Sequence, residues 1–79
     1  MRIREEFFSV GGVPAVVWTP DDEAAGPRPL IFIGHGGGQD KTAPGVVYRA
    51  HRFAAAGFSV VSADAPNHGD RPTDERYRP

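Results

Sequence analysis

Pro29-Leu-Ile-Phe-Ile-Gly34-His35-Gly36-Gly37-Gly38-Gln39-Asp40-Lys41 runs an apolar stretch straight into a glycine-rich loop, and this junction decides the fold. Leu30 to Ile33 reads as a strand that buries side chains on both faces, as strands inside a parallel sheet do. Three consecutive glycines carry no Cβ, so their peptide N–H groups can approach an oxygen closely. The strand therefore delivers a bare loop to the rim of a sheet, suited to binding negative oxygen. That oxygen belongs either to a phosphate or to the oxyanion formed when an acyl carbonyl is attacked.

Downstream, Thr42, Ala43 and Pro44 form a helix start, with Thr42 as the expected cap and Pro44 in the first turn. Val46, Ala50, Phe53 and Ala54 then share one helical face, flanked by Val47, while Arg49 and Arg52 point elsewhere. Gly57 stands where a C-terminal cap is preferred, and Phe58 to Ala63 begins a second buried strand. Strand, helix, strand is a βαβ unit, whose right-handed crossover makes the strands parallel. The glycine loop and Asp64-Ala65-Pro66-Asn67-His68-Gly69 should then emerge side by side at the edge where open α/β sheets bind ligands.

Upstream, Arg2 to Val10 has a partial period-two pattern with charges on both sides, which suits an edge strand. Gly11-Gly12 supplies a tight turn, and Val13 to Thr19 follows as a β-branched and aromatic run, giving a hairpin. Pro14 lacks an N–H, which places it at the start of that strand or on an open edge. Pro20 to Pro29 reads as a solvent-facing connection, and Asp70 to Pro79 as a loop.

A chain of 79 residues has room for one small domain with a thin core. A formal net charge of -1 gives no positive field for nucleic acid or an anionic membrane. The absence of cysteine excludes a disulfide scaffold, a thiolate nucleophile and a cysteine-type zinc site. Glu5-Glu6 interrupts any signal-peptide pattern and no apolar run approaches membrane-spanning length, so a cytoplasmic location is the default expectation. His35, His51 and His68 lack the i, i+3 or i, i+4 spacing of a helix-borne metal site, and no cofactor is expected.

The phosphate readings match poorly. A dinucleotide fingerprint finds Gly34 and Gly36, but its third glycine falls on Gln39, and Asp64 lies too far on to hold a ribose. A P-loop ending in Lys41-Thr42 would need glycine at the positions of His35 and Asp40. The acyl-transfer reading fits without repair, because His35-Gly36-Gly37-Gly38 is an oxyanion-loop string at the end of the third strand.

On these residues the chain resembles the amino-terminal part of the α/β-hydrolase superfamily, and within it the dienelactone-hydrolase-like and prolyl-oligopeptidase-like serine esterases and peptidases. Those proteins open with an antiparallel pair, run a strand into His-Gly-x, cross by a helix and return in a strand ending Asp-x-x-Gly-His-Gly or a relative. Here the last motif is Asp64 to Gly69, with Asn67 in place of the commoner glycine. The resemblance implies that the Gly37 N–H is the first choice of oxyanion donor, with Gly36 and Gly38 shaping the loop. It also implies that His35, Asp64 and His68 support the loops, since the triad acid and histidine should follow the nucleophile in the chain.

A nucleophile on a G-x-S-x-G elbow is absent: the serines are Ser9, Ser59 and Ser62, and the nearest approach, Gly57-Phe58-Ser59, lacks the second glycine. The expectation is thus an α/β chain, a partial α/β-hydrolase fold made of an N-terminal hairpin and one βαβ crossover, truncated before the elbow. Residues 1–79 would be the N-terminal part of a single hydrolase domain whose complete form acts on a small ester or peptide-like substrate. The 79-residue chain alone would be inactive and would self-associate through exposed strand edges. The alternative is a small non-enzymatic α/β module that binds an anion, nucleotide or partner through the glycine loop.

Overall fold

Gly11 and Gly12 adopt φ of 56° and 81°, positive at both central positions as a type I′ hairpin turn requires. They fold strand β1 (Ile3–Val10) back on β2 (Val13–Pro20). The computed structural model describes residues 2–21, 27–66 and 68–71. Pairing runs from Val10 opposite Val13 to Ile3 opposite Pro20. β1 lies at the sheet edge, and all of it except half-buried Ile3 is exposed. The indole N–H of fully buried Trp18 donates to Glu5 Oε2 at 2.7 Å.

Pro14 lies near the start of β2, as its second residue, opposite Ser9. The compensation is visible on the other side of the strand. Asp64 N donates to the Pro14 carbonyl at 3.0 Å, and the Asp64 carbonyl, which the missing Pro14 N–H would have met, accepts from the Arg71 guanidinium at 3.3 Å. An arginine side chain thus replaces one rung of the ladder.

The predicted crossover is present as β3 (Leu30–Phe32), α1 (Pro44–Ala55) and β4 (Ser59–Ala63), with β3 and β4 parallel from Leu30 opposite Ser59 to Phe32 opposite Val61. β2 pairs antiparallel with β4, so the order is β1-β2-β4-β3. This corrects the reading of Leu30 to Ile33 as a strand buried on both faces: β3 is an outer strand, and Leu30 and Phe32 are 64% and 65% exposed. An apolar run signals two covered faces, and the described residues supply one helix for one face. Ile33 is buried and extends the ladder through its N–H to Val61 O at 2.9 Å.

On the covered face, Val46, Ala50 and Ala54 of α1 pack with Val16, Trp18, Val60 and Ile33. Phe53, expected in that row, is 39% exposed and meets Phe58 edge-on with centroids 6.1 Å apart. Its role is at the helix end. Phe58 N bonds Phe53 O, Gly57 N bonds Ala54 O, and Gly57 takes φ 103°, which together make a Schellman cap with its usual apolar contact. The start also differs from expectation: the cap residue is Ala43 and no side chain caps it, because Asp40 Oδ1 holds both the N–H and the hydroxyl of Thr42. No helix among the described residues is long and apolar enough to cross a membrane. Asn67 and the expectations for residues 22–26 and 72–79 lie outside the described residues.

Candidate active site

Because β3 and β4 are parallel neighbours, the loops that follow them leave the sheet at one edge and touch. The glycine loop is closed by a turn in which Gln39 N donates to Gly36 O at 3.1 Å, with Gly38 at φ 74° in the corner that demands a positive value. The Gly36 N–H is taken by Gln39 Oε1 at 3.0 Å, and the Gly38 N–H reaches His68 Nε2 at a longer 3.4 Å. The Gly37 N–H makes no hydrogen bond among the described residues, and nothing crowds the position a Cβ would occupy there. Of the three amides, that of Gly37 is the one left open.

His35 and His68 hold the loops together reciprocally. His35 stands in the first loop and its Nε2 accepts from Ala65 N of the second at 3.0 Å; His68 stands in the second and accepts from Gly38 of the first. A backbone N–H can only donate, so Nε2 of each ring is unprotonated and the proton resides on Nδ1. In both residues that Nδ1–H donates to a carbonyl of its own loop, Gly36 O at 2.9 Å and Pro66 O at 2.8 Å. The rings lie 5.1 Å apart. With both nitrogens of each ring engaged, neither histidine is disposed as a general base.

Asp64 is more than the turn cap expected of it. It is buried, and its two oxygens accept from Lys41 N at 2.9 Å, Lys41 Nζ at 2.9 Å and Asp70 N at 2.8 Å. Burial pushes its carboxyl up, but the Lys41 and Asp70 backbone bonds and the Lys41 ammonium outweigh this and hold it below the ordinary carboxylate value. Lys41 is buried too, and its ammonium also bonds Asp70 Oδ2 at 2.9 Å. Burial pulls it down, but bonds to Asp70 and Asp64 leave it above the ordinary lysine value. Gly69, at φ 55°, lies so close to the Asp64 carboxylate that any Cβ there would collide with it.

Sequence reading missed Lys41, Gln39, Gly69 and Asp70 as members of the site. For Lys41 a signal existed: once the two rims are adjacent, a lysine ending one loop faces an aspartate opening the other. The arrangement also weakens the P-loop reading, because a P-loop lysine must be free for phosphate and this ammonium is enclosed by two carboxylates. Ser9 lies on the exposed edge strand and Ser59 opens β4. Ser62 is buried in β4 with a hydroxyl that has no partner among the described residues, so none of the three stands at a strand-to-helix turn. Among the described residues, no cluster of three or more His, Asp or Glu side chains could hold a metal ion.

No family model matches the chain. It is 39% identical over 70 residues to a monoacylglycerol lipase of Mycolicibacterium smegmatis, a match that covers 86% of this chain and 23% of the lipase. A PEG-bound cold-adapted esterase from an Arctic intertidal metagenomic library superposes with a TM-score of 0.72 at 30% identity, over 89% of this chain and 30% of the esterase. The thioesterase domain from a curacin biosynthetic pathway superposes at 0.54 over 95% of this chain and 25% of its own, at 24% identity, a likeness of fold alone. The chain thus spans about a quarter of the length of the curated relative it matches.

Proposed function

We propose that this chain, whose mixed sheet and single helix match the N-terminal part of an α/β-hydrolase esterase fold, supplies the oxyanion loop of a serine hydrolase that cleaves carboxylic esters. The observation that carries the proposal is the open Gly37 N–H at the sheet rim, between neighbours whose own amides are occupied. A serine alkoxide attacking an ester carbonyl puts negative charge on the carbonyl oxygen, and a preorganised amide stabilises that charge without reorganising at the moment of reaction. The loop's backbone N–H bonds to Gln39, His68 and Asp64 supply the preorganisation. The nucleophile, acid and catalytic histidine would come from polypeptide corresponding to the remainder of the relatives, and the 79-residue chain alone would not turn over. Ester hydrolysis is favoured over peptide hydrolysis by the likeness to a lipase and an esterase. The finer likeness to dienelactone-hydrolase-like and prolyl-oligopeptidase-like enzymes rests on the two loop motifs alone.

The test is hydrolysis of p-nitrophenyl esters by the full-length protein and by the 79-residue chain. The expected result is turnover by the former, abolished by a serine-directed phosphonate, and none by the latter. Turnover by the short chain, or none by the full-length protein, overturns the reading.

A further inference from the structure

We propose that Lys41 is a positioning residue that fixes the glycine loop against the second rim loop through Asp64 and Asp70, and so sets where the Gly37 amide points. The inference rests on the oxyanion reading of that loop, and it assigns a role to a side chain which that reading does not use.

Lys41 ends the glycine loop three residues before α1 begins. It grips Asp64 twice, by its backbone N–H to Oδ1 and by its ammonium to Oδ2, both at 2.9 Å. One bond alone would leave the residue free to pivot; the pair fixes backbone and side chain against one rigid carboxylate. The ammonium continues to Asp70 Oδ2 and the Asp70 N–H returns to Asp64 Oδ2, so three residues from two loops close a ring of bonds. Gly69 is shaped to admit the carboxylate, since any side chain there would displace it.

A buried ion pair of this kind adds little net stability, because desolvating the two charges offsets their attraction. Its consequence is geometric and electrostatic. Removing the lysine charge leaves a buried, unpaired carboxylate at the root of a loop that has to receive a developing anion. It also frees the C-terminal end of the loop, whose middle His68 holds through one long bond. A displacement of the order of 1 Å in a group that contacts the transition state can cost about 100-fold in rate.

The experiment measures ester hydrolysis by the full-length protein and its Lys41→Met, Lys41→Arg and Asp70→Asn forms, with amide hydrogen exchange read across residues 36–41. Lys41→Met is expected to lower kcat by about 10- to 100-fold with KM changed by less than about threefold, because the loss falls on the transition state. The Gly38 and Lys41 amides should exchange faster in that variant, and Lys41→Arg should recover most of kcat. Unchanged kcat, or a rise in KM alone, overturns the proposal. If Lys41→Met does not fold, Asp70→Asn decides: it keeps the Lys41–Asp64 pair and should lower kcat by about threefold and speed exchange at Gly38, and no change in either overturns the proposal. A wild-type protein without esterase activity refutes the oxyanion reading instead. The exchange data then judge the clamp alone, and equal rates in wild type and Lys41→Met refute it.

Discussion

The rim where the two loops meet and the face of the sheet opposite α1 are held in opposite ways. At the rim, most polar groups on residues 35–41, 64–66 and 68–71 are paired with one another over distances of 2.8 to 3.4 Å, the Gly37 N–H being left open, and two opposite charges are buried. On the open face, Phe8, Val10 and Phe32 line an apolar hollow of about 360 Å³ with Ala15, Val61 and Ala63, and they are 40% to 65% exposed. The rim is therefore specified by local bonds that the described residues already contain. The apolar face has surface to bury and no described element covering it. Polar bonds thus set the geometry of the rim, and substitutions can weigh them against the apolar burial of the sheet.

The largest effect belongs to the covered face. Trp18→Ala removes a fully buried side chain and its bond to Glu5, and should cost about 3–5 kcal/mol, read from urea unfolding. A loss below about 1 kcal/mol would place the main core elsewhere. Next comes Gly69→Ala, which combines a positive φ with a collision against Asp64 and should cost about 1–3 kcal/mol while leaving the Trp18 environment unchanged by fluorescence. Equal stability would show that the loop adopts another path.

The rim should also give the molecule its pH limits. Asp64 is depressed when folded, so its contribution is full above the ordinary carboxylate value and is lost as pH falls through its lowered one. Lys41 is raised, so its contribution is full below the ordinary lysine value and is lost as pH rises through its raised one. Urea midpoints should accordingly fall as pH drops through the lowered Asp64 value and again as it rises through the raised Lys41 value, with the alkaline fall reduced in Lys41→Met. An unchanged alkaline limb in that variant would remove Lys41 as its source. The smallest effect is expected on the open face, where Phe32→Ser should change stability by no more than about 0.5 kcal/mol and reduce self-association in sedimentation. A loss comparable with that of Trp18→Ala would mean that this face is already covered.

The hairpin, the crossover and the adjacency of the loops were legible because each rests on local chemistry: Gly11-Gly12 permits one tight turn, Gly57 permits one helix end, and a βαβ unit leaves one handedness. β3 was misjudged because an apolar run reports what the strand could bury, whereas strand order decides what it does bury. Phe53 was misplaced for a related reason, since helical periodicity counts it with Ala50 and Ala54 although the Schellman cap turns it toward Phe58. At the rim, Gly36 to Gly38 announced themselves as a string. Lys41, Asp64 and Asp70 are separated in sequence by 23 and 29 residues and become a unit only when the sheet brings them together.

The central claim concerns one amide, and isotope-labelled full-length protein bound to a boronic acid mimic of the tetrahedral ester intermediate tests it directly. The account predicts a large downfield shift of the Gly37 amide proton, with the Gly36 and Gly38 amides keeping their bonds to Gln39 and His68 and moving little. A Gly37 resonance that stays in place while the analogue binds would contradict it.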